Sequence, residues 1–187
     1  MKAVFLKGSL LLLAVSLSGC STMRGGGSGD QAGGIEATRF HLGQPIAKGQ
    51  IAVEAFDAAD ANMVEFPAYA SSVNRQLTRL GWTVAAASNR QTEQVALIDV
   101  QQGSRAALTG RVGGAAAIGA GAANSVATLL EVRIRRRSDG TVIWEGRAIS
   151  EAQAAATGTQ RTAAVEKLAE ALFRDFPGES GRTIRLR

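Results

Sequence analysis

The sequence predicts an α+β fold: a single two-layer domain with a mixed, largely antiparallel sheet and two helices packed on one face. Three observations predict it. Phe66, Tyr69, Ala70, Val73, Leu77 and Leu80 recur at helical spacing, and so do Val165, Leu168, Ala169, Leu172 and Phe176, which gives two apolar stripes. Residues 127–149 alternate in polarity around Ser138-Asp139-Gly140, the pattern of a hairpin. Val95 to Gln101 is nearly continuous in apolar residues, as a strand covered on both faces requires.

The elements follow in chain order. Residues 38–43 alternate, with Phe40 and Leu42 on one side and Arg39 and His41 on the other, and read as a strand. Residues 50–56 read as a second, with Ile51, Val53 and Ala55 inward. The first helix spans Phe66 to Leu80. Pro67 suits its first turn, where the missing N–H has no helical partner anyway. Gly81 is placed for the left-handed residue that closes a helix. Trp82 and Val84 begin a further short strand.

The hairpin register can be tested on its side chains. A three-residue loop with Gly140 left-handed sets Ile134 opposite Trp144, Val132 opposite Gly146 and Leu130 opposite Ala148. The other face then pairs Arg133 with Glu145, Glu131 with Arg147 and Arg135 with Ile143. A two-residue loop spoils both faces, because a one-residue slip turns every side chain over. The second helix runs from Gln160 to Phe176 and is stopped by Pro177-Gly178. Residues 182–186 add a last strand, with Ile184 and Leu186 inward.

The N-terminus carries a different signal. Lys2 and Lys7 precede the apolar run Ser9–Leu17, and Leu17-Ser18-Gly19-Cys20 closes it. A positive segment, a short apolar segment and small residues form a secretory signal. The run is too short for the roughly 20 residues of a membrane-spanning helix. Cleavage between Gly19 and Cys20 is expected, with the Cys20 thiol then acylated. Cys20 is the one cysteine in the chain, and a lone exported cysteine needs such an explanation. Several acyl chains anchor firmly where one is marginal. Ser21 rather than Asp follows Cys20, which in a Gram-negative lipoprotein implies the periplasm-facing outer membrane. Residues 1–19 are thus the leader. Residues 20–36 are the lipidated cysteine and a Gly/Ser-rich tether with a reach of roughly 20 Å. Residues 37–187 are the domain, with a Gly/Ala-rich insertion at 108–125.

Composition narrows the function. The formal net charge of +5 over 187 residues includes the leader lysines. It is too mild and dispersed for a nucleic-acid stripe. One His and no thiol within the domain leave no set of transition-metal ligands, and no cofactor is implied. A Ser-His-Asp triad would have to use His41, yet no GxSxG elbow is present. Glu54, Asp57, Asp60 and Glu65 could serve a carboxylate hydrolase; acids entering a helix are the commoner use of this pattern.

Two segments suggest contacts. Residues 111–124 hold Gly113, Gly114, Gly119 and Gly121. They resemble GxGxxG without its last glycine or its strand–helix context. Such small residues suit either a flexible excursion or close packing against a membrane or partner helix. Arg133, Arg135, Arg136 and Arg137 form a basic run; Arg182, Arg185 and Arg187 form another. These fit an acidic partner or a solvated face partly neutralised by Glu131 and Glu145.

The lipobox at 17–20, the helix FPAYASSVNRQLTRLGW (66–82), the hairpin TLLEVRIRRRSDGTVIWEGRA (128–148) and the ending LAEALFRDFPGESGRTIRLR (168–187) together resemble the bacterial lipoprotein family catalogued as domain of unknown function 4136. The resemblance implies an anchored periplasmic α+β domain without an established activity, and carries over Cys20 alone. The resulting expectation is a non-enzymatic binding or envelope-scaffold module held to the bilayer by acylated Cys20, with an envelope protein or lipid as partner. A periplasmic small-molecule or lipid-binding domain and a carboxylate-dependent envelope hydrolase are the alternatives.

Overall fold

The structure, a computed structural model, describes residues 34–89, 91–112, 125–154 and 156–186. The elements are β1 (Ile35–His41), β2 (Gln50–Ala55), α1 (Phe66–Arg79), β3 (Thr83–Ala85), β4 (Gln94–Ser104), α2 (Arg105–Val112), β5 (Val126–Arg136), β6 (Val142–Glu151), α3 (Gly158–Phe173) and β7 (Thr183–Leu186). The strands form one sheet in the order β3-β2-β4-β5-β6-β1-β7. β2 is parallel to β3 and β4, and the remaining pairs are antiparallel. The α+β expectation therefore holds, with α1 and α3 side by side on one face.

The core lies between those helices and the sheet. Ile51, Val53, Ala96, Ile98, Leu130, Val132, Ile134 and Trp144 rise from the strands to meet Val73, Leu77, Val165, Leu168 and Leu172. α1 ends where Gly81 takes φ 98° and the Trp82 N–H reaches the Leu77 carbonyl at 3.0 Å. α3 opens on a capping box: the Gln160 N–H donates to Thr157 Oγ1 and the Thr157 N–H donates to Gln160 Oε1.

The hairpin pairs as its side chains demand, with Ile134 opposite Trp144, Val132 opposite Gly146, Leu130 opposite Ala148, Arg133 opposite Glu145 and Glu131 opposite Arg147. One pair differs. Arg135 faces Val142 rather than Ile143, because a bulge interrupts the ladder after Ile134. Gly140 is left-handed at φ 73°, and the Gly140 N–H closes the loop on the Arg136 carbonyl at 3.0 Å.

Four other features depart from the sequence reading. β1 begins at Ile35, so the last two residues of the expected tether are already strand. The polar side of β1 turns inward: Arg39 is 3% exposed, while Phe40 and Leu42 on the other side are 39% and 60% exposed. α3 stops at Phe173; Phe176 lies in the turn beyond and still packs on the core. Finally, α2 is a helix that the pattern did not announce. It begins before the expected insertion and lies over the opposite sheet face, where Leu108 closes on Ala127, Leu129 and Ile149.

Candidate functional site

The sheet face away from α1 and α3 carries the arginines of the hairpin. Glu131, Arg133, Glu145 and Arg147 form a closed cycle in which each arginine pairs with both glutamates. Arg133 also stands over the Phe56 ring, its guanidinium carbon 4.6 Å from the centroid. Arg137 bonds to Glu54 and donates from Nε to Thr92 Oγ1 at 3.0 Å. Arg135 is half-buried on the same strand and makes no ion pair among the described residues. Arg182 and Arg185 pair with Glu179 and Glu36. This face is thus largely self-neutralised. Gly19, Cys20, Gly113, Gly114, Gly119, Gly121 and Arg187 lie outside the described residues.

The acids before α1 are held separately. Glu54 belongs to Arg137 and Glu65 to Arg161. Asp57 Oδ1 accepts the Ala59 N–H at 3.0 Å. Burial pushes the Asp60 carboxyl up, and the nearby Asp99 and Asp57 add to the shift. Glu65 sits where the N-termini of α1 and α3 meet and lines a small cavity of about 200 Å³ with Tyr69, Arg161 and Thr128. Burial raises the Tyr69 hydroxyl above its ordinary range.

The hydrogen bond from Arg161 holds the Glu65 carboxyl below the usual carboxylate range, helped by a backbone N–H. A carboxyl lowered on folding stabilises above its unfolded pKa of about 4.3, and that contribution is lost as pH falls through the folded value. Glu65→Gln should therefore be less stable than the natural chain at pH 6, and the gap should close below about pH 4 in urea melts. A gap that stays constant from pH 6 to pH 3 would show that the charge of Glu65 contributes nothing.

His41 is structural in its contacts. The Gly43 N–H donates to Nδ1 at 3.0 Å, which leaves the proton on Nε2 to donate to the Gly178 carbonyl at 3.1 Å. Among the described residues, no group of three or more His, Cys, Asp and Glu side chains is placed to hold a metal. No described helix is long and apolar enough to cross a membrane.

A larger opening than the Glu65 cavity lies along α3 beside the β1–β7 edge. It is a groove of about 470 Å³, within the size range of small-molecule sites. Ile35 and Leu186, paired across β1 and β7, form one wall. Ala163, Ala164 and Ala171 form the other, and their short side chains leave the space open. Lys167, Glu170 and Arg174 stand along the helix rim, and Glu151 lies on the strand side. Sequence patterning missed this groove because it marks the helix face toward the core and leaves the flanks as wet. The one signal was three alanines on the flank beside a leucine stripe.

No family model matches the chain. A curated relative, an uncharacterized protein of Zymomonas mobilis subsp. mobilis, is 26% identical over 82% of this chain and 80% of its own. Among solved structures, the chain is similar to a PDZ domain protein from Parabacteroides distasonis, with a TM-score of 0.53 and 11% identity over 82% of this chain. The chain spans 39% of that protein's length. The PelC dodecamer from Paraburkholderia phytofirmans aligns with a TM-score of 0.42 and 12% identity, over 73% of this chain and 97% of that one. At such identities the likeness to the first structure is one of fold.

Proposed function

We propose that this chain is a non-catalytic binding domain anchored in the bacterial envelope, and that the groove between α3 and the β1–β7 edge takes a small apolar or amphipathic molecule. The groove carries the binding reading: small side chains on α3 face apolar strand residues across an open space, with a few polar and charged groups beside them. The anchor rests on Leu17-Ser18-Gly19-Cys20 and the leader before it. Membership of the lipoprotein family of domain of unknown function 4136, and placement on the periplasmic side of the outer membrane, belong to the same proposal. Recruitment of an envelope protein is the second reading, favoured by the exposed Phe40 and Leu42 on β1 and just beyond it.

One preparation tests these together. Protein extracted from its own membranes is weighed intact, then under native and denaturing conditions. The expected result is a chain starting at Cys20 with added acyl mass, and a small molecule released on denaturation. A mass that still includes Met1 would end the anchor reading. A ligand-free native species would count against the groove, and a stoichiometric protein partner would favour recruitment.

A further inference from the structure

We infer that the groove ligand is a single-chain amphiphile with a zwitterionic head, one that carries a phosphate and an ammonium group. The inference rests on the groove reading above and deepens it. Its first basis is charge. Lys167 and Glu170 lie on one flank of α3, and Arg174 caps its C-terminal end beside the same groove. They form no ion pair among the described residues, and neither does Glu151 across the groove. Most other described arginines are matched to a carboxylate. The groove rim therefore offers two cations and two anions, a set that a purely anionic or cationic head would leave half unmatched and a neutral head wholly so.

The second basis is shape. Ile35, Leu186 and the alanines give a trough walled by apolar groups, suited to one unbranched chain. The chain would lie against Ala163, Ala164 and Ala171, with the head toward Lys167, Glu170 and Arg174, which line the same groove. The third basis is position. Gly34, the residue at which the expected tether meets the domain, lines the groove. The groove therefore lies beside the start of β1.

The test uses the full-length chain carrying Cys20→Ala, which cannot be acylated. Calorimetric titrations with dodecylphosphocholine, laurate, dodecyltrimethylammonium and dodecyl maltoside, each below its micelle concentration, compare four heads on one chain length. Dodecylphosphocholine should bind at least about tenfold tighter than the other three. Lys167→Ala with Arg174→Ala should erase that margin and leave dodecyl maltoside unchanged. Glu170→Ala should reduce the margin without strengthening dodecyltrimethylammonium. Ala164→Trp should abolish binding of all four, with the thermal melt recorded beside it. Equal affinity for the phosphocholine and maltoside heads, or a preference for laurate, would overturn the zwitterionic inference and leave the groove reading standing. Binding of none of the four would overturn both. The charge variants are exposed and leave the core intact, so their result stands even if Ala164→Trp does not fold.

Discussion

Trp144→Ala should lower the unfolding free energy by about 3–5 kcal/mol, among the largest losses a single truncation in this domain can cause. Trp144 is 0% exposed. Its ring stacks on Phe173 at 5.2 Å between centroids and tilts against Phe176, also at 5.2 Å. Its indole N–H donates to the Pro177 carbonyl at 3.0 Å. The truncation removes the ring, opens a cavity that the strands cannot close and leaves that carbonyl without its donor. Trp144→Phe should recover more than half of the loss, because most of the burial returns without the hydrogen bond. Urea midpoints at constant slope measure both variants. A loss under about 1 kcal/mol for Trp144→Ala would mean that the space refills, which the packing argues against.

The same residue shows what could be read from the sequence and where reading stopped. Strand pairing around Gly140 was legible because two faces had to be satisfied at once, apolar pairs on one and opposite charges on the other. The role of Gly146 was not. Opposite Val132 it looks like a gap in the apolar face, but a Cβ there would fall inside contact distance of the Trp144 ring and 2.8 Å from Leu172 Cδ1. The glycine makes room for the indole of a residue two positions away, and pair-by-pair reading sees no such neighbour. α2 escaped for a related reason. Among its described side chains, Leu108 is the one that closes on Ala127, Leu129 and Ile149, so no periodic stripe marks it. The groove was hidden because its walls come from β1, β7 and a helix flank, segments far apart in sequence. The acids before α1 were legible as residues but not as pairs: Arg137 and Arg161, which hold Glu54 and Glu65, arrive from more than eighty residues downstream.

Arg39→Met should destabilise the domain by about 3 kcal/mol, and the sign of the change is the informative part. A buried charge is costly, and replacing one by an apolar group of similar size is often neutral or favourable. Burial indeed lowers the Arg39 pKa, against the raising influence of Asp175. Its partners here are backbone groups. Nε donates to the Leu172 carbonyl at 2.8 Å and Nη2 to the Ala171 carbonyl at 2.7 Å. Both carbonyls belong to the last turn of α3, which has no helical donors for them, and a cation at that end also meets the negative pole of the helix. Methionine would fill the volume and leave both carbonyls buried without a donor, at about 1–3 kcal/mol each before relaxation. Lysine supplies one donor head rather than a fork, so Arg39→Lys should fall between Met and the natural residue. If Met instead matches or exceeds the natural stability, desolvation of the guanidinium outweighs the cap. The ordering Arg above Lys above Met would show why the polar side of β1, and not its phenylalanine side, faces the helices.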